Sequence, residues 1–103
     1  MSIDFSKYQR EAFKAAIYPG AGKENWIYPL VGLCGEVGEV ANKLKQVVCG
    51  DRAMSKIVAY EVALELGDVL WYVAMLANEL GLNMQNIAEN NLKKLSKRQD
   101  NNS

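Results

Sequence analysis

The sequence predicts an all-α fold: a four-helix bundle-like single domain whose helical hairpin core is completed by oligomerisation. Three observations carry this. No stretch of useful length alternates apolar and polar residues as a half-buried strand does. Segments with helical periodicity are separated by short breaks bearing Gly, Pro or Asn. At 103 residues, 50% hydrophobic and 23% charged, the chain has room for one core and the composition to fill it.

The first helix is predicted over Asp4 to Ala16, with Phe5, Tyr8, Ala12 and Ala15 on one stripe, ending before Tyr18-Pro19-Gly20-Ala21-Gly22. A loop follows through Asn25. The second helix starts near Pro29, whose missing N–H is not needed in a first turn, and ends at Gly50 as a C-terminal cap. After a short turn the third runs from about Ser55 to Leu80 and closes with Gly81. Asn83 caps the fourth, Leu82 and Ile87 take the two positions of a hydrophobic staple, and the helix spans about Met84 to Arg98. Residues 1–98 are thus expected to form one domain and 99–103 a polar, disordered tail.

The apolar run from Ile57 to Ala77 is long enough to suggest a membrane span, but Glu61, Glu65 and Asp68 interrupt it. Each would cost about 2.5–3.5 kcal/mol at a bilayer centre, so the run reads as a core helix with an acidic stripe, covered on several sides. Four short helices cannot cover it alone, which predicts a homodimer or homotetramer. Twelve acids balance twelve bases, which argues against a nucleic-acid polymer or an anionic membrane as partner. The absence of histidine removes His-based triads, His-ligated zinc and any imidazole base, leaving carboxylates, lysines, hydroxyls and two thiols. Cys34 and Cys49, on one predicted helix, lie roughly 22 Å apart at 1.5 Å per residue and cannot bridge. Unpaired thiols and a charged N-terminal segment without a signal-peptide core point to the cytoplasm.

The central hairpin carries the chemistry. Glu36 and Glu39 on the second helix, and Glu65 and Asp68 on the third, are each spaced i,i+3 and project from one face. In an antiparallel hairpin turning near residue 52, facing residues have numbers adding to about 104. Glu36 then faces Asp68, Glu39 faces Glu65, and Lys43 faces Glu61 as an ordinary ion pair. Like charges about 4 Å apart repel by roughly 4 kcal/mol at an effective dielectric near 20, so four converging carboxylates call for a cation. Hard oxygen ligands without His or thiolate favour Mg²⁺ or Mn²⁺. Gly32, Gly35 and Gly38 share a helix with Glu36 and Glu39, each costing about 1 kcal/mol relative to Ala; close helix packing and room for a metal-bound phosphate both explain them. Asn91, Lys94 and Arg98 form one stripe of the last helix, Lys93 and Lys97 another, and no base lies between Ile57 and Leu92. Spacing alone leaves Lys94 and Arg98 open between phosphate contact and complementing the helix dipole. Most aromatics are expected in the core, with Tyr72, one turn past Asp68, near the site.

Tyr8-Gln9, Ala16-Ile17-Tyr18-Pro19, the run Gly32 to Val40 with its ExxE pair, the run Glu65 to Val73 with its ExxD pair, and Asn91 to Arg98 resemble the MazG-like nucleotide pyrophosphohydrolases of the all-α NTP pyrophosphatase superfamily. The resemblance implies Mg²⁺-dependent cleavage of a nucleoside triphosphate between its α and β phosphates, giving a monophosphate and pyrophosphate. It implies Glu36, Glu39, Glu65 and Asp68 as metal ligands and favours Asn91, Lys94 and Arg98 as phosphate contacts; of the four carboxylates, one of the ExxE pair, Glu36 or Glu39, is expected to accept the attacking water's proton. Gly35 and Leu64 stand where many relatives carry acids, which leaves the number of metal ions open. A dUTPase-like or phosphoribosyl-ATP pyrophosphohydrolase branch is an alternative, as is a non-enzymatic helical regulatory module, which would leave the converging acids unexplained.

Overall fold

Each helix begins where the sequence supplies an acceptor for otherwise unpaired N–H groups. The structure, a computed structural model, describes residues 2–101. Among the described residues there are four helices and no strand: α1 (Phe5–Phe13), α2 (Ile27–Val48), α3 (Lys56–Glu79) and α4 (Met84–Asn101). The Asp4 carboxylate accepts from the Lys7 N–H at 2.7 Å, the Ser55 hydroxyl from Val58 at 3.2 Å, and the Asn83 side chain from Asn86 at 3.1 Å. α2 begins two residues before the expected Pro29, with Asn25 Oδ1 accepting from the Tyr28 N–H at 3.4 Å. Pro29 is thus the third helical residue, still among the positions whose N–H has no helical partner. Gly50 (φ 81°) and Gly81 (φ 70°) supply the left-handed turns after α2 and α3.

Two predicted boundaries are corrected. α1 stops at Phe13, and residues 14–16 continue as tighter turns, Ala15 and Ala16 donating to Ala12 and Phe13 at 3.1 and 2.9 Å. This redirects the chain so that Tyr18 enters the core. α4 runs to Asn101, so Gln99 to Asn101 are helical rather than part of a disordered tail; no Gly or Pro follows Gly81 to end the helix. Residues 102–103 lie outside the described residues.

α2 and α3 form the hairpin, α3 also packs on α1, and α1 packs on α4. The hairpin register is the expected one. Lys43 Nζ lies 3.8 Å from Glu61, and Gly32 faces Tyr72 so closely that a Cβ on the glycine would sit 2.2 Å from the ring. The core gathers at the α1 end, where Tyr18, Ala74, Met75 and Met84 are buried together. Gln9 fastens three helices there. Its Nε2 donates to Asn78 Oδ1 (2.8 Å) and the Leu82 carbonyl (2.9 Å), while Oε1 accepts from the Met84 N–H (2.8 Å). The Trp71 indole donates to the Ala12 carbonyl at 3.0 Å, tying α3 to α1.

The rest of the hairpin is barely covered. Val31 and Val37 on α2, and Ile57, Tyr60, Leu64 and Leu66 on α3, are more than half exposed. The expected covering of the third helix therefore holds mainly for its C-terminal half within this chain; in its N-terminal half Val58 is the one buried residue. The radius of gyration, 16.4 Å, exceeds the ~13 Å of a compact chain of about this length. No described helix is long and apolar enough to cross a membrane. Cys34 and Cys49 are free and exposed, the latter capping the C-terminus of α2.

Candidate metal centre

The hairpin register brings together three of the four expected acids. One carboxylate oxygen from each of Glu36, Glu65 and Asp68 lies within 4.8 Å of the others, so one side chain from α2 and two from α3 converge across the groove. Glu39, one helical turn along α2, is exposed and stays outside this group, although its charge still acts on Glu36. Glu36 is the most perturbed member. Its Oε2 is buried and no donor reaches it, so the hydrogen bond open to it is the one it makes to Glu65 by taking up a proton itself. That bond, burial, and the negative charges of Asp68, Glu65 and Glu39 push its pKa up from the usual 4.5 to about 7.

Three converging carboxylate oxygens suit a hard cation, and the buried Oε2 of Glu36 has no donor to bind. The glycines divide. Gly32 is needed for close packing under Tyr72, whereas a Cβ at Gly35 or Gly38 would meet nothing within 4 Å, so both leave open space beside the acids of α2.

Tyr72 is half-buried and lines a cavity of about 460 Å³ with Asn25, Ile27, Tyr28, Val31 and Gly32. Its hydroxyl is pushed up by burial first, then by Tyr28 and by the charges of Glu36 and Asp68. Gly32 lies one turn before Glu36 and Tyr72 one turn after Asp68, so cavity and acids occupy successive levels of one groove. On the α1 side, burial and the charge of Asp68 raise the pKa of Tyr8.

The α4 residues are not gathered into this group. Asn91, Lys94 and Arg98 are exposed, and the charges acting on Glu36 are those of its neighbouring acids. Lys94 shares a surface concavity with Lys93 and Lys97, which the spacing had assigned to a separate face. Sequence reasoning missed Glu79, which is 4% exposed in the last turn of α3 and accepts from the Tyr18 hydroxyl and from the N–H groups of Gly22 (2.8 Å) and Asn25 (3.0 Å). A signal was present: an acid in a C-terminal turn opposes the helix dipole and implies donors nearby.

The all-α chain turns carboxylates from two helices of its central hairpin toward one another, an oxygen-only set of candidate ligands. The family model of the MazG nucleotide pyrophosphohydrolase domain matches residues 29–103, and the chain belongs to that family. It is 43% identical to the Gene 37 protein of Mycobacterium phage L5 over 105 residues, covering 97% of this chain and 90% of the phage protein. No solved structure matches it.

Proposed function

We propose that the chain is a Mg²⁺-dependent nucleoside triphosphate pyrophosphohydrolase, cleaving the α–β bridge of a (d)NTP to give a (d)NMP and pyrophosphate. The observation that carries this reading is the convergence of one carboxylate oxygen from each of Glu36, Glu65 and Asp68 within 4.8 Å, in a group where the buried Glu36 Oε2 lacks a donor. These three residues would hold the cation. When bound, a divalent ion there supplies charge neutralisation for the triphosphate and acidity to a coordinated water. Mg²⁺ fits better than zinc because the donors are hard oxygens and Mg²⁺ readily shares its shell with phosphate. Glu39, exposed one turn from Glu36, accepts the proton of the water that attacks phosphorus. Tyr72 and Tyr28 offer ring surface to the base in the adjoining cavity.

Asn91, Lys94 and Arg98 serve the phosphates in an assembly, a homodimer or homotetramer, in which exposed side chains such as Val31, Val37, Leu64 and Leu66 meet a second copy. Such a protein would work in the cytoplasm, clearing or adjusting nucleotide pools. The test is incubation with a panel of NTPs and dNTPs with and without Mg²⁺, separating pyrophosphate from orthophosphate. Metal-dependent pyrophosphate release is expected, and its absence with every nucleotide would sink the reading. Light scattering at micromolar concentration should give at least a dimer.

A further inference from the structure

Between α1 and α2 the chain makes an energetically awkward excursion. Gly20, Gly22 and Glu24 all have left-handed backbone, with φ of 71°, 77° and 64°. Glycine adopts this freely, whereas Glu24 carries a Cβ that disfavours it, so something outside the segment must hold it. That something is Glu79. Its Oε2 accepts from the Tyr18 hydroxyl and the Gly22 N–H, and its Oε1 accepts from the Asn25 N–H. One buried carboxylate thereby binds both ends and the middle of the excursion to the end of α3. With three donors aimed at it, the group stays ionised although it is buried.

The excursion leads directly into the cavity wall. The Tyr18 ring stacks on Tyr28 at 4.7 Å between centroids and 7° between planes, and meets Trp71 edge-on at 6.3 Å. Trp71 in turn stands edge-on to Tyr72 at 5.1 Å. Asn25 and Tyr28 line the cavity together with Tyr72. Asn25 is held on three sides, by Glu79 at its N–H, by the Pro19 carbonyl at its side-chain amide, and by the Tyr28 N–H at its Oδ1. Tyr18 to Tyr28 precede the segment matched by the family model, while Glu79 lies inside it.

We infer that Glu79 is a positioning residue for the nucleotide cavity: its carboxylate fastens segment 18–25 and so fixes Asn25 directly, and Tyr28 through its stack on Tyr18, in the cavity wall that Tyr72 shares. The part concerning nucleotides rests on the proposed function. Glu79 touches no substrate and acts through the wall. Replacing its charge by an amide of the same shape puts an NH₂ where donors already point, so the wall should loosen while the acids half a helix away keep their geometry.

The test uses the full chain carrying Glu79→Gln and, as a milder variant, Tyr18→Phe, which removes one donor and leaves the charge with its two backbone partners. Amide hydrogen exchange without nucleotide reads the wall directly. In Glu79→Gln the amides of Gly22 and Asn25 should exchange at least about tenfold faster, while those in the middle of α2 and α3 keep their protection. The α,β-imido analogues of the four deoxynucleoside triphosphates, titrated in Mg²⁺, read the consequence. The dissociation constant of any analogue that binds the parent chain should rise about tenfold or more, with Mn²⁺ binding to the nucleotide-free protein unchanged. Tyr18→Phe should move both readouts in the same direction by less. Unchanged exchange at Gly22 and Asn25, or faster exchange with unaltered analogue binding, overturns the inference. If Glu79→Gln fails to fold, Tyr18→Phe decides by the same two measurements. A parent chain that binds no analogue refutes the proposed function instead, and the exchange data then judge the fastening alone.

Discussion

Glu36 and Glu79 are acids of the same hairpin, and their surroundings are opposite. Glu79 accepts from three donors, one hydroxyl and two backbone N–H groups, and its pKa is lowered despite burial. Glu36 has a buried oxygen with no donor, and its charged neighbours are Asp68, Glu65 and Glu39, so its pKa is pushed up to about 7. The difference separates two uses of a charge in a protein interior. A carboxylate surrounded by fixed donors organises the backbone that supplies them, and its role is complete within the chain. A carboxylate surrounded by like charges is incomplete and gains from an added cation or proton.

The largest effect that can break this comparison lies in catalysis. Glu36→Gln and Asp68→Asn should each lower pyrophosphate release by at least about 100-fold, beyond the 10–100-fold typical of groups that only support a metal ligand. The helical circular dichroism should be nearly intact. Retained activity in either variant would remove that residue from the metal centre.

Next in size is an opposition of sign in stability. Leaving buried donors mismatched costs about 1–3 kcal/mol, so Glu79→Gln should lower the thermal midpoint, by about 4–8 °C per kcal/mol in a chain of this size. In metal-free buffer at pH 8, Glu36→Gln should instead raise it by a few degrees, because it removes one member of a repelling group. Differential scanning calorimetry at one protein concentration checks both. Equal falls in the two variants would mean that Glu36 has a donor after all.

The two carboxyls also predict opposite pH dependences. For Glu36 the folded pKa, about 7, exceeds the ordinary 4.5, so the folded state holds a proton that the unfolded chain has released. Its contribution to stability is full below 4.5 and lost as pH rises toward 7. For Glu79 the folded pKa is depressed, so its contribution is present above 4.5 and lost as pH falls through the lowered value. The metal-free midpoint should therefore decline between about pH 5 and 7, and Mn²⁺ should reverse the decline. Mn²⁺ affinity should climb by up to about tenfold per pH unit below 7, where one proton must be displaced, and flatten above it. A flat profile by calorimetric titration would mean that Glu36 is not a ligand.

The site was legible in the sequence to the extent that it depends on regular hairpin geometry. Lys43 with Glu61, Glu36 with Asp68, and Gly32 with Tyr72 all obey one register rule, because two straight antiparallel helices convert residue number into height. The rule gave levels and said less about direction. Glu39 shares the level of Glu65 yet remains outside the cluster, although Glu65 and Asp68, spaced in the same way on α3, both belong to it. The caps at Asp4, Ser55 and Asn83 were readable because they rest on contacts three residues away. Glu79 was not, because its partners Tyr18, Gly22 and Asn25 lie 54 to 61 residues away in an irregular segment with no period to extrapolate. The helical continuation to Asn101 was hidden by polarity: residues 99–101 lack apolar periodicity but also lack any residue that would stop a helix.

Glu61 provides the third case, and the smallest expected effect. It is a satisfied carboxylate like Glu79, held by Arg52 through paired bonds of 2.8 and 3.1 Å with Lys43 at 3.8 Å, but it sits about one-third exposed near the hairpin turn. Its hydrogen bond to Arg52 lowers its pKa, as donors lower that of Glu79. If donor supply alone determined what a carboxylate contributes, Arg52→Ala would destabilise the chain as much as Glu79→Gln. Water, however, can replace the guanidinium at an exposed pair, whereas nothing replaces the donors around Glu79. Arg52→Ala should therefore shift the thermal midpoint by no more than a few degrees, with a shift that shrinks in about 1 M salt as screening takes over. A loss matching that of Glu79→Gln and insensitive to salt would show that the hairpin turn is as closed to solvent as the core, and donor supply rather than burial would then account for what both Glu61 and Glu79 contribute.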